Sequence, residues 1–163
     1  MPNIILRIEK ASDEISKRDD VCCYVLSDTL PKQMFNVALN TGKMVLVEGP
    51  GALDKCKEYG LDGVVKEIDV TKPLKSQIKA MREALKKKTL GVIIPARRHE
   101  AMLAGEVEPD FIAFYSDDEQ KDTEVVNWYN ELFLIPLAWV CKDHKQDEIK
   151  NNVDFMMISA ENF

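Results

Sequence analysis

An α/β fold around a parallel eight-stranded sheet is what the chain predicts, on three observations. Short apolar runs alternate with longer amphipathic stretches from one end to the other, the pattern of repeated strand–helix units. Several runs are apolar at consecutive positions, as in Leu90-Gly91-Val92-Ile93-Ile94 and Phe111-Ile112-Ala113-Phe114-Tyr115, which suits strands covered on both faces. The runs number eight, and 163 residues leave roughly 20 for each unit, enough for a short strand, a helix of about ten residues and two tight loops. Barrels of this kind ordinarily take about 250 residues, so the expectation is a minimal (β/α)8 TIM-like barrel with short loops. An open doubly wound parallel sheet of six or seven strands is the alternative.

The first strand is expected at 3–8, Asn-Ile-Ile-Leu-Arg-Ile, followed by a short helix between Ala11 and Asp20, and the second strand at 21–27. Asp28 or Thr29 followed by Pro31 reads as the next helix start, because proline fits a first turn whose amides need no helical partner, and Gly42 falls where a left-handed helix end is expected. The third strand is expected at 43–47, and the helix after it carries Cys56 and stops at Gly60. The fourth strand, 63–68, leads to a helix on which Ile78, Met81 and Leu85 share a face, with Lys86 to Lys88 as a solvated end suited to the helix dipole. A fifth strand at 90–94 precedes a helix begun by Arg97 and Arg98. After the sixth strand, 110–115, Val125, Trp128, Tyr129, Leu132 and Phe133 form an apolar stripe expected to pack on the sheet. The seventh strand at 135–141, a short helix at 147–152 and the eighth strand at 153–159 complete the series. The sequence stops at Phe163, so the last helix is expected to be missing.

One domain spanning 1–163 is expected from this length. Apolar residues at 45% and charged residues at 31% exclude disordered, collagen-like and low-complexity classes. Twenty-two basic against 28 acidic residues give a net charge of −6, which argues against a binder of nucleic acid or of anionic membrane. No run approaches the roughly 18 apolar residues of a membrane span, and the short apolar start lacks a preceding basic region, so a cytoplasmic location is expected. The four cysteines, at 22, 23, 56 and 141, form no C-x-x-C pair and indicate neither a disulfide framework nor structural zinc. Cys22 and Cys23, inside an apolar strand, are expected to be buried as small hydrophobes rather than reactive.

Ligands of parallel α/β folds bind where the strands end, so the informative side chains are those just after each run. These include Ser27, Asp28, Glu48, Lys66, Glu67, Arg97 to His99, Ser116, Asp117, Lys142 to His144 and Ser159. Gly49-Pro50-Gly51 invites comparison with a dinucleotide loop, but Asp54 stands at the third glycine position and Pro50 removes an amide donor, so a tight turn is the preferred reading. No Walker loop, nucleophile elbow or zinc-protease helix is present in the sequence.

The second half resembles a known family. Arg98-His99-Glu100-Ala101-Met102-Leu103-Ala104-Gly105-Glu106, Pro109-Asp110-Phe111-Ile112-Ala113-Phe114, Asn127-Trp128-Tyr129-Asn130-Glu131-Leu132-Phe133 and Ile135-Pro136-Leu137-Ala138-Trp139-Val140 resemble bacterial thiamine phosphate synthase. Val153-Asp154-Phe155-Met156-Met157-Ile158-Ser159-Ala160 is similar to that family's last strand, and Gly60-Leu61-Asp62-Gly63-Val64 to its Gly-Ala-Asp-Gly-Val segment. The likeness runs from about residue 43 to 160.

The resemblance implies a phosphate-binding barrel that joins a hydroxymethylpyrimidine diphosphate to a thiazole phosphate, with magnesium, releasing pyrophosphate. That chemistry needs carboxylates for the metal, cations for the diphosphate and glycine amides for the thiazole phosphate. Against the family, Val25-Leu26-Ser27-Asp28 replaces a basic segment, Val47-Glu48-Gly49-Pro50 replaces Ile-Asn-Asp, and Val65-Lys66-Glu67-Ile68 replaces His-Leu-Gly-Gln. Cys141-Lys142-Asp143 stands in place of a Gly-Gly-Ile phosphate loop, where side chains crowd the backbone approach a phosphate needs. Ser159 alone is matched at the last phosphate-proximal strand end.

The expectation is therefore a degenerate synthase-like protein without synthase activity that holds a small phosphate or pyrophosphate ligand, in or derived from thiamine metabolism. Its candidate anion site is Lys66, Arg97, Arg98, Lys142 and Ser159, with the alternative that these cations pair with Glu48, Glu67, Asp117 and Asp143 around a filled mouth. No catalytic residue, cofactor or metal is assigned, magnesium entering only with retained synthase activity. His99 and His144 are read as polar surface residues before any acid–base role. The second function reading is a noncatalytic barrel that associates with a partner or with a second copy of itself to form a homo-oligomer.

Overall fold

The computed structural model describes residues 3–11, 15, 19–141 and 147–162. Their strands are β1 (Asn3–Ile8), β2 (Val21–Ser27), β3 (Met44–Glu48), β4 (Gly63–Glu67), β5 (Thr89–Pro95), β6 (Phe111–Tyr115), β7 (Leu137–Cys141) and β8 (Phe155–Ser159). Between them lie α1 (Lys32–Asn40), α2 (Ala52–Tyr59), α3 (Leu74–Leu85), α4 (Arg98–Glu106), α5 (Asp122–Leu132) and the four-residue α6 (Asp147–Lys150). Every strand pairs in parallel with its sequence neighbours, and β1 pairs with β8, so the sheet is a closed barrel. That closure removes the open doubly wound alternative. The helix expected between Ala11 and Asp20 falls mostly outside the described residues.

Strand alternation divides the core in two. Ile5, Cys23, Val25, Leu46, Val65, Ile93, Ala113, Ala138 and Met157 fill the barrel lumen, with Phe111 lying across Gly91 at its floor. The opposite parity, including Leu6, Tyr24, Val47, Val92, Phe114 and Trp139, packs under the helices with Phe35, Ile78 and Tyr129. Burying each such large side chain contributes about 1.5–3 kcal/mol. Helix ends follow the glycines, with Gly60 left-handed at the end of α2 and Gly42 in the same region of backbone space after α1. The apolar stripe of α5 is narrower than its sequence suggests: Val125 and Tyr129 are buried, but Leu132 points to solvent, because the helix ends there and the chain turns extended at Phe133.

An aspartate precedes β4, β6 and β8, and each does the same thing. Asp62 accepts the Val45 N–H at 2.8 Å and returns its own N–H to the Val45 carbonyl at 3.0 Å. Asp110 does so with Leu90, at 2.7 and 2.8 Å, and Asp154 with Leu137, at 2.9 and 2.8 Å. At the amino end of an odd strand an amide would otherwise lack a ladder partner, and a carboxylate acceptor makes that bond charge-assisted.

Candidate functional site

Lumen parity carried to the carboxyl ends of the strands places Arg7, Ser27, Glu48, Glu67, Tyr115 and Ser159 at the mouth. Arg7 Nη2 donates to both Glu48 carboxylate oxygens, at 2.9 and 3.1 Å, across a barrel whose strands bring residues 41 apart together. The two side chains keep 19% and 16% of their surface exposed. Burial raises the Glu48 carboxyl above the usual carboxylate range; Arg7 opposes that rise and Glu9 and Glu67 add to it. Burial also raises the Tyr115 phenol, with Glu67 contributing.

That shift carries a sign. Between the ordinary carboxylate pKa and the raised one, the folded protein holds a proton on Glu48 that the unfolded chain has lost, so this group's contribution to stability falls as pH rises through the window. Glu48→Gln removes the titration. Relative to wild type, the variant is expected to gain thermal stability as pH rises through that window, and melting curves of both proteins across pH check it.

Beside the pair lies a cavity of about 650 Å³ lined by Arg7, Glu9, Ser27, Glu48, Lys66 and Glu67 among others. It opens where β3 and β4 part: their ladder ends at Glu48 opposite Val65, while Lys66 and Glu67 pair only with β5. Pro50 and Leu53 form one wall of that gap and Lys66 and Met81 the other. Lys66 shares the parity of Val64, so it stands on the helix side of the sheet and reaches the cavity from the rim.

Of the sequence-predicted anion site, this region takes Lys66 and, beside it, Ser159, which is the register partner of Arg7 on β8. Arg97 is elsewhere: Nε donates to Asp117 at 3.0 Å and Nη1 to Glu100 at 3.1 Å. Asp117 is itself positioned by the buried Asp122, which accepts the Ser116 hydroxyl at 2.5 Å and the Asp117 N–H at 3.3 Å. Arg98 lies over the Trp128 ring, 5.5 Å from its centroid, on the helical layer. Lys142 and His144 fall outside the described residues, and His99 is exposed on the first turn of α4.

Sequence reasoning confined to residues after each strand passes over Arg7. Its signal is a lone charge at lumen parity with Ile5 inside an otherwise apolar strand. The Gly49-Pro50-Gly51 segment is a turn closed by the chain's own anion: Asp28 accepts the Gly51 N–H at 2.6 Å, and a Cβ on Gly49 would stand 2.2 Å from that carboxylate. An amide at the start of α2 that could face a phosphate already faces Asp28. The lumen thiol of Cys23 is pushed up to about 12, chiefly by burial, which makes it a core filler at neutral pH.

The chemistry implied by the resemblance calls for magnesium, and the described side chains at the mouth do not fit it. Glu48 is committed to Arg7, and among the described residues no group of three His, Cys, Asp or Glu side chains is placed to hold a metal ion. No helix among the described residues is long and apolar enough to cross a membrane.

Comparison with known proteins accords with the barrel fold. No family model matches the chain. Thiamine-phosphate synthase of Erythrobacter litoralis (strain HTCC2594) is 31% identical over 117 residues, covering 64% of this chain and 53% of that protein. The chain thus spans about half the length of the curated relative it matches. Thiamine phosphate pyrophosphorylase from Pyrococcus furiosus superposes with a TM-score of 0.71 at 14% identity, over 97% of this chain and 86% of that one. Orotidine 5'-monophosphate decarboxylase from Methanocaldococcus jannaschii gives 0.67 at 14%, over 97% and 88%, and tryptophan synthase from M. tuberculosis 0.66 at 11%, over 97% and 83%. Likenesses at these identities show the fold alone.

Proposed function

We propose that this chain, a thiamine-phosphate-synthase-like TIM barrel, binds a small phosphorylated ligand at its carboxyl-end mouth without carrying out the synthase reaction. The observation that carries the reading is the Arg7–Glu48 pair beside an open cavity. A carboxylate bonded to a guanidinium, as Glu48 is to Arg7, is a poor magnesium ligand, and Asp28 takes the turn amide at Gly51. Both features weigh against metal-assisted diphosphate departure. Arg7 and Lys66 supply positive charge in a space of the size that takes a small molecule.

Two measurements test this. Incubation with magnesium, hydroxymethylpyrimidine diphosphate and thiazole phosphate is expected to form no thiamine phosphate above background. Calorimetric titration with thiazole phosphate, thiamine phosphate and pyrophosphate is expected to show binding of at least one. Magnesium-dependent turnover would remove the first half of the reading, and no binding at millimolar ligand the second.

Self-association is a second reading, favoured by one observation. Met102 on α4 and Leu132 and Leu134 near the end of α5 are exposed, Leu134 fully, and these two helix ends meet where the Phe133 ring lies over Gly105 of α4. Apolar side chains gathered in this way are suited to a second copy across a two-fold axis. Sedimentation at tens of micromolar is expected to show a dimer that Leu134→Lys converts to monomer; a wild-type monomer would exclude it.

A further inference from the structure

We propose that the mouth loads an anion together with a proton: the anion displaces Glu48 from Arg7, and Glu48 takes up the proton. This rests on the reading that the cavity binds an anion, and it adds how a mouth crowded with carboxylates can do so.

The guanidinium is under-used. A single nitrogen, Nη2, serves both Glu48 oxygens, while Nε is buried and has no partner among the described residues. Arginine presents five N–H groups in a planar fork that a phosphate or carboxylate grips through two of them. Glu48 offers no fork-to-fork match in the observed geometry, so an incoming oxyanion can make a better one.

Repulsion is the obstacle. Among the described residues, the charged groups that face Glu48 are Arg7 and Glu9 from β1, Asp28 after β2, and Lys66 and Glu67 from β4. Asp28 is held by the Gly51 amide. With Glu9, Asp28, Glu48 and Glu67 all ionised, an anion entering beside Arg7 meets four like charges. Protonating one carboxyl removes a charge, releases Arg7 and turns an acceptor into an O–H donor aimed at the newcomer. Glu48 is the member in contact with Arg7, and burial already favours its neutral form. The proton comes from solvent, and no bond other than that O–H forms or breaks.

The probe is sulfate, which does not titrate near neutral pH, with pyrophosphate in parallel. Calorimetry of the wild-type protein in two buffers of different ionisation enthalpy counts protons directly. Uptake of about one proton per sulfate is expected, with affinity falling about tenfold per pH unit above the Glu48 pKa. Glu48→Gln is expected to bind without proton uptake and with a flat pH profile, and Arg7→Gln to lose binding. Binding without proton uptake in wild type, or proton uptake that persists in Glu48→Gln, overturns this inference and leaves the anion-binding reading standing. Absence of binding by both probes overturns the two together. The wild-type proton count decides the matter even if a variant fails to fold.

Discussion

Alanine at Gly63 is expected to cost the barrel about 3 kcal/mol or more, at or beyond the upper end of ordinary overpacking. A Cβ there would stand 1.9 Å from the Thr89 carbonyl oxygen, 2.7 Å from its carbon and 2.9 Å from its Cα. All three atoms are backbone, and Gly63 and Thr89 are register partners, so no side chain can swing aside and β4 must move against β5. Relief would break the ladder that fixes the β3–β4 opening beside the cavity. Gly42→Ala is the control, because nothing lies within 4 Å of its added methyl and only the left-handed φ of +78 opposes it, at about 1–2 kcal/mol. Thermal melting should place Gly63→Ala at least ~6 °C below wild type, at roughly 2–4 °C per kcal/mol for a chain of this size. A smaller drop than that of Gly42→Ala would refute the backbone-clash account.

Asp62→Ala, Asp110→Ala and Asp154→Ala are each expected to lose about 1–3 kcal/mol, the cost of leaving a strand amide without its acceptor. The three geometries are alike, so the three losses should be alike too. Asp110 also meets Arg82 at 3.0 Å, but that pair is half open to water and adds little. Asparagine retains a carbonyl acceptor and should recover most of each loss. The aspartates clamp different strand pairs, so double variants are expected to be additive within about 0.5 kcal/mol. Urea unfolding measures all of this, and a single dominant site among the three would contradict the repeated-device interpretation.

The strands were legible because a run buried on both faces is written in consecutive apolar residues, and β1 and β2 have the expected bounds. The runs beginning at 135 and 153 overshoot: Pro136 offers no amide to a ladder, and Asp154 is spent on Leu137 before β8 begins. Closure through β1 could not be read from local pattern, since the β1–β8 pairing joins the two ends of the chain. The site was harder for the same reason. Lys66, Arg97 and Arg98 look equivalent in sequence, yet strand parity and helix packing send them to the cavity rim, to Asp117 and to Trp128. Arg7 was hidden in plain apolar company, and only its contact with Glu48, made from β1 to β3, brings it into the candidate site.

The aspartate clamps also say how the barrel would come apart. Each ties an odd strand to the even strand that follows, so β3 with β4, β5 with β6 and β7 with β8 are welded in twos, while among the described residues no such aspartate bridge spans the joints between couples. Partial opening should therefore proceed couple by couple, a fluctuation in quarters of the ring rather than in single staves.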